Sequence, residues 1–365
     1  MLELVTGTPL RLQMQRMLLD SVLREHFDRE IKEMEHPHLD VDADALFART
    51  RAGHMLRHVF NDASMPYFER FMRENPNYLA QEEIETINAH LDYISELGTN
   101  LRAQTADKDS EVVVEEWGTG NDHSQTFKTI PTLRAIRPDG YVGVDFAPAS
   151  AAGSMINVWN AFKKAADPDS AIKVQMRIKD FIRDDLRIES KGPRALLIYG
   201  NTLANLEGFS DALPQAEMDV VLTKAYNHVG RGGYVLIGLQ HQMQEDTSYQ
   251  DKRFHAFHQH FLKVLKKGLH KDSGFKPEDF EFFVRWEPAV ANHVFGYRAK
   301  RPGWVQPMRS GERRYYSQGD EFITCNSWRF SPDFLRKSFV RNGFTPLRTM
   351  TKPGGQMTIH ALQAH

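Results

Sequence analysis

At 365 residues with 41% hydrophobic side chains, the chain can bury one large or two medium cores. Its 46 Lys and Arg against 48 Asp and Glu leave a formal net charge of −2, which gives no broad electrostatic footprint for nucleic acid or an anionic membrane and makes a small-molecule partner the default. One cysteine, Cys325, excludes an intramolecular disulfide framework and a zinc site built from several cysteines, and fits a reducing compartment. No apolar run approaches the ~20 residues needed to span a bilayer. The N-terminal MLELVTGTPLRLQMQRMLLDSVL is interrupted by Arg, Gln and Asp rather than forming a signal-peptide core, so a cytoplasmic protein, monomer or homodimer, is expected.

From about residue 10 to residue 104, apolar residues recur at three- and four-residue steps, as in Met14, Met17, Leu18 and Val22 and later Ile84, Ile87, Leu91 and Ile94. That spacing predicts an N-terminal helical region over 1–108. At Ala106–Asp109 a charged stretch breaks the periodicity, and short apolar runs then alternate with helical segments: EVVVEE (111–116), a helix near 123–135, YVGVDF (141–146), a helix near 148–164, IKVQMRI (172–178), ALLIYG (195–200), a helix near 213–229 and YVLIG (234–238). This alternation predicts an α/β fold with a parallel sheet covered on both faces.

After Gly238 the alternation stops. Residues 245–328, with a long helix near 252–267 and the aromatic run FEFFVRW (280–286), read as an inserted α+β module outside the sheet. Strand and helix return with SPDFLRKSFVRNG (331–343), FTPLRTM (344–350), the turn Lys352-Pro353-Gly354-Gly355 and QMTIHAL (356–362). A tight turn makes this last pair antiparallel, because parallel neighbours need a long crossover. The expected domains are 1–108, then 109–244 with 329–365, and 245–328.

The strongest local signal is Glu115-Glu116-Trp117-Gly118-Thr119-Gly120-Asn121, directly after the first predicted strand. Glycines there let the backbone pass close beneath a ligand, and the helix that follows adds oriented N–H donors. The third glycine of the dinucleotide fingerprint is missing, which disfavours a nicotinamide cofactor. Asp145 ends the second strand and can accept from both hydroxyls of a ribose; Asp180 ends the third, beside Phe181, where it could meet an adenine amine. Either acid alone is equally well explained as a helix cap. After the fourth strand, Gly200-Asn201-Thr202-Leu203-Ala204-Asn205 forms a small polar loop on the same edge.

These segments resemble the histidine-specific N-α-methyltransferases of ergothioneine biosynthesis and their relatives that methylate tryptophan derivatives. EWGTGNDHSQ looks like their E-L-G-S-G-T loop, YVGVDF their Y-x-x-V-D strand end, KDF their G-D-F and GNTLANLE their G-S-T-I-G-N-L. GDEFITCNSWRF (319–330) follows their G-E-x-I-x-T-E-x-S-x-K-F without a gap, and the likeness runs from about residue 75 to the end. The resemblance implies a class I methyltransferase: a Rossmann-like, seven-stranded sheet that binds S-adenosylmethionine. By it, Gly118, Thr119, Gly120, Asp145, Asp180, Phe181 and Gly200 would hold the cofactor. Asn205 and Tyr78, in NPNYL, would be the catalytic positions that contact the amino-acid head group. Tyr249, Cys325 and Ser327 would complete the substrate pocket.

Two departures bear on the substrate. Where the histidine enzymes present a glutamate to the imidazole, this chain has Cys325, and a thiol is no ionised acceptor; histidine is therefore a poor candidate. The family's D-L-V-K-D after strand five reads Gln240-His241-Gln242-Met243-Gln244 here. The expected activity is methylation of a free amino acid or similar small amine. Loss of the glutamate also fits cyclisation of S-adenosylmethionine to azetidine-2-carboxylate, and a non-catalytic scaffold is a third reading. Tyr78, Phe295 and Trp328 could face the sulfonium by cation–π contact. His54 and His58, or His255, His258 and His260, lack a matching carboxylate pattern, so no metal is expected.

Overall fold

The computed structural model describes residues 39–48, 58, 65–75, 79–104, 110–163, 172–186, 192–206, 214–241 and 245–365. The helix expected around Met14–Val22, and Tyr78, lie outside the described residues. The N-terminal part supplies helices α1 (Leu39–Leu46), α2 (Met65–Glu74), α3 (Leu79–Ala89) and α4 (Leu91–Ala103).

The alternating part then runs β1 (Val113–Trp117), α5 (Asp122–Ser124), a π-helical turn (Gln125–Thr129), α6 (Ile130–Ile136), β2 (Gly140–Asp145), α7 (Pro148–Lys163), β3 (Lys173–Ile178), β4 (Arg194–Ile198), α8 (Gln215–Val229) and β5 (Tyr234–Gln240). After α9 (Lys252–Leu265) come β6 (Phe280–Glu287), β7 (Asn292–Ala299), β8 (Gly303–Val305), β9 (Arg314–Tyr316) and β10 (Glu321–Trp328). The chain closes with α10 (Pro332–Arg341), β11 (Phe344–Thr351) and β12 (Met357–Ala364).

The large sheet has seven strands in the order β11-β12-β5-β4-β1-β2-β3. The pairs β1–β2, β2–β3, β1–β4 and β4–β5 are parallel, while β12 runs antiparallel to both β5 and β11. The terminal hairpin thus enters as expected, with β12 rather than β11 inserted beside β5. Strands β1, β2, β4 and β5 are buried along their whole length, the burial that an apolar, doubly covered parallel strand predicts.

Alternation along each strand divides the core in two. Val114, Tyr141, Leu197 and Leu236 face a cluster built with α4, α6 and α7, whereas Val113, Val142, Leu196 and Val235 face one built with α8 and α10. α10 begins where Ser331 accepts a hydrogen bond from the Phe334 amide at 3.2 Å and Pro332 occupies the first turn, the N-terminal chemistry its sequence predicts.

The insertion builds its own antiparallel sheet, β10-β7-β6, with a β8–β9 ribbon beside it. Its core joins Phe254, Phe257 and Phe261 of α9 to Phe282, Phe295 and Phe322, and extends to Leu39, Ala43 and Phe71 of α1 and α2. The N-terminal helices therefore divide between two cores, because Ile87, Ile94, Leu97 and Leu101 of α3 and α4 are buried against the large sheet. Among the described residues no helix is long and apolar enough to cross a membrane.

Candidate active site

A cleft opens over the carboxyl ends of β1, β2 and β4 and beneath α2, α9, β7 and β10. Open parallel sheets present their ligand sites along this edge. Gly118, Thr119 and Gly120 line its floor, with φ of 76° at Gly118 and 69° at Gly120, a left-handed backbone that costs glycine least. A Cβ at Gly118 would meet Thr202 Oγ1 at 3.1 Å, so the close approach of the β1 and β4 loops also needs a missing side chain. Asn121 accepts from the Ser124 amide at 3.0 Å and caps α5, and both residues line the cleft. Its Nδ2 is buried without a partner.

Asp145 lies at the end of β2 and lines the same floor. Its Oδ1 accepts from the Ala147 amide at 2.9 Å and its Oδ2 from Thr119 Oγ1 at 3.2 Å. Burial pushes the Asp145 carboxyl up to about 6, against the donors from Ala147, Thr119 and Gly120 that pull it down. Glu116 is pushed by burial to about 7, opposed by hydroxyls of Tyr141 at 2.7 Å and Thr129 at 2.8 Å. Phe181 lines the cleft and stacks on Trp117, ring centroids 5.3 Å apart.

Asp180, expected beside an adenine amine, is not among the cleft-lining residues. Its carboxylate accepts from the amides of Ile182 at 2.9 Å and Arg183 at 3.4 Å, which closes the turn after β3; no helix follows for it to cap among the described residues. Trp328 likewise packs rather than facing the cleft; it is 0% exposed and donates from Nε1 to the Leu206 carbonyl at 3.1 Å.

Gly200 and Asn205 approach from the end of β4, Asn205 on a short 3₁₀ turn, Thr202–Asn205. Among the described residues the Asn205 amide has no hydrogen-bond partner, although it lines the cleft. Behind Gly200 sits a buried pair that sequence reading did not anticipate. Glu83, on α3, accepts from the Gly200 amide at 2.8 Å and from Lys128 Nζ at 2.8 Å, both side chains almost fully buried. Gly238 on β5 leaves room for this carboxylate, since a Cβ there would overlap Glu83 Oε1. Glu83 carried no sequence signal, because its partners lie 45 and 117 residues away.

The opposite wall is aromatic: Phe68 of α2, Phe254, Phe257 and His258 of α9 and Phe295 of β7. His258 stacks on Phe282 at 4.2 Å, its Nδ1 has no partner, and burial lowers its pKa to about 3, so the ring is neutral. Tyr249, Cys325 and Ser327 all reach the cleft. Burial pushes the Cys325 thiol up to about 12, which keeps it protonated. The structure thus brings Gly118, Thr119, Gly120, Asp145, Phe181, Gly200, Asn205, Tyr249, Cys325 and Ser327 to one cleft.

The residues present fit an adenosyl ligand carrying an amino-acid tail: a glycine floor, a buried carboxylate at the second strand end and an unsatisfied Asn121 amide facing the same space. This sheet order with a reversed seventh strand, and a cleft over its carboxyl edge, define a class I methyltransferase fold. A family model described as histidine-specific, S-adenosylmethionine-dependent methyltransferases matches residues 43–364, and the chain belongs to that family.

Solved structures similar to it include an S-adenosylmethionine-dependent methyltransferase from Clostridium acetobutylicum ATCC 824, at 8% identity and TM-score 0.39, covering 81% of this chain and 98% of the other. Others are magnesium protoporphyrin IX methyltransferase from Synechocystis PCC 6803, at 12% and 0.38 over 85% and 98%, and a methyltransferase from Streptomyces caelestis, at 13% and 0.39 over 74% and 95%. No curated protein sequence matches the chain.

Proposed function

We propose that the chain transfers a methyl group from S-adenosylmethionine to the amine of a free amino acid or similar small metabolite other than histidine. S-adenosylmethionine, when bound, supplies a methyl already activated by its sulfonium. The protein's task is then to hold the nucleophile in line and exclude water. Gly118, Thr119, Gly120, Gly200 and Asp145 would hold the donor, and the wall of Phe68, Phe254, Phe257 and Phe295 would keep water out.

The observation that carries the reading is Asn205, whose amide lines the cleft with no hydrogen-bond partner among the described residues. An amide both donates and accepts, so it can orient a neutral amine without taking its lone pair. Rejection of histidine is supported by Cys325: the buried, protonated thiol offers an imidazole N–H no charged acceptor.

Incubation with S-adenosylmethionine alone, and then with pooled amino acids, followed by mass spectrometry, tests the proposal. The expected products are S-adenosylhomocysteine and a methylated acceptor, formed only with the pool. Methylthioadenosine formed without any acceptor would replace methyl transfer by cyclisation, and efficient methylation of histidine would overturn the role given to Cys325.

A further inference from the structure

The acceptor end of the cleft is backed by a charge to which methyl transfer by itself assigns no role. Arg329, two residues past Ser327, is 0% exposed. Its Nη1 donates to Ser327 Oγ at 2.8 Å and to the carbonyls of Ser327 and Trp328, each at 3.2 Å. Its Nη2 donates to the Tyr249 hydroxyl at 3.3 Å. Asp246 lies 3.9 Å from Nη2, too far for a hydrogen bond, and Arg329 Nε has no partner. A guanidinium this deep with so loose a counter-ion is costly unless something else answers its charge.

The hydrogen count of the two hydroxyls shows where that answer is directed. Asn201 Oδ1 accepts from the Gln240 amide at 2.9 Å, which turns its Nδ2 toward Ser327 Oγ at 3.5 Å. Ser327 Oγ therefore receives two N–H donors, one from Arg329 and one from Asn201, and both its lone pairs are engaged. Tyr249 and Ser327 are 3.4 Å apart, and with both Ser327 lone pairs engaged it is Ser327 that donates to the Tyr249 hydroxyl. The Tyr249 hydroxyl, which accepts from Ser327 and Arg329, then keeps a hydrogen with no acceptor among the described residues, and both residues line the cleft. The cluster presents a hydroxyl donor with a positive charge directly behind it.

We propose that the Tyr249–Ser327 hydroxyls bind a carboxylate in the cleft and that Arg329 is the positioning residue that orients and polarises them. The inference rests on the methyl-transfer reading, and the carboxylate belongs either to the acceptor amino acid or to the methionyl tail of the donor. Full-length wild type, Arg329→Gln and Arg329→Lys are titrated calorimetrically with S-adenosylhomocysteine and with 5′-methylthioadenosine, which lacks that tail. The S-adenosylhomocysteine-saturated proteins are then titrated with L-tryptophan against tryptamine and L-phenylalanine against phenethylamine, probes chosen for the aromatic wall.

For an acceptor carboxylate, the amino acid of at least one pair binds at least about tenfold more tightly than its amine, the scale of a charge-assisted hydrogen bond. Arg329→Gln removes that preference, Arg329→Lys restores part of it, and S-adenosylhomocysteine affinity is unchanged. For a donor carboxylate, Arg329→Gln weakens S-adenosylhomocysteine and leaves 5′-methylthioadenosine unaffected. If Arg329→Gln does not fold, Tyr249→Phe and Ser327→Ala carry the same comparison.

Equal losses for acids and amines, or for both nucleosides, would reduce Arg329 to a packing residue and overturn the proposal. So would undiminished preferences, or an absence of binding by every amino acid while S-adenosylhomocysteine binding is insensitive to Arg329. A wild-type protein that binds no S-adenosylhomocysteine removes the methyl-transfer reading itself, and the inference falls with it.

Discussion

Replacing Asp145 with asparagine should convert a pH-dependent cofactor affinity into a pH-independent one. Burial holds this carboxyl at about 6 in the free protein, and its oxygens already accept from Ala147, Thr119 and Gly120. Added ribose hydroxyls would be donors to an ionised acceptor, each contact contributing about 1.5–3 kcal/mol, so Asp145→Asn at pH 8 should weaken S-adenosylmethionine at least about tenfold.

The sign of the pH effect follows from which form binds. The ligand favours the carboxylate, so binding releases a proton when the free group is protonated, and affinity rises with pH up to about 6 and is flat above it. Below that point each pH unit costs about 1.4 kcal/mol, so wild-type affinity at pH 5 should be about elevenfold below its plateau and close to that of the variant. Glu116, near 7, is present in both proteins, and the difference between their profiles isolates Asp145. Calorimetric titrations from pH 5 to 8 give the two curves. A constant wild-type-to-variant ratio across that range, or equal affinities at pH 8, would refute the assignment of Asp145 to the cofactor.

Asn205→Ala should leave S-adenosylmethionine affinity within a few-fold while lowering turnover about 100-fold, the scale of a lost positioning contact; wild-type turnover in the variant would remove Asn205 from the reaction. Glu83→Ala leaves Lys128 buried without its partner and the Gly200 amide without its acceptor, and should cost about 3–5 kcal/mol in denaturant unfolding. A loss below about 1 kcal/mol would place the pair among weak surface-like contacts. His258 is neutral in the fold, with its pKa near 3, but takes a proton near 6.5 when unfolded, so its contribution to stability is lost as pH falls below 6.5. By pH 5 that loss is about 2 kcal/mol, and thermal melts of His258→Phe should show a correspondingly smaller drop between pH 7 and pH 5; identical drops in both proteins would contradict it.

Local patterning was enough to predict the large sheet. EVVVEE, YVGVDF and YVLIG are short apolar runs separated by helical segments, and that alternation leaves few arrangements other than parallel strands joined by crossovers. The placement of the Gly118–Gly120 loop and Asp145 in the cleft was legible for the same reason: it follows from position at strand ends, which sequence order sets directly. The inserted sheet was less so, because β8 and β9 have only three residues each and the antiparallel pairing of β7 and β10 is chosen by contacts across the module. Asp180 shows the limit of a positional argument, since a strand-end acid can face the ligand or cap the next turn, and here its oxygen accepts local amides.

Composition and order therefore determined the fold class, the edge over which the cleft opens and the glycine floor. Only the tertiary structure decided what faces that floor: α9 and β7 bring the aromatic wall, α3 brings Glu83 to Gly200, and the end of β10 places Arg329 behind Tyr249 and Ser327. Glu83 and Gly200 are 117 residues apart and Arg329 and Tyr249 are 80 apart, and a buried charge or amide acquires its role only when packing has excluded water from around it.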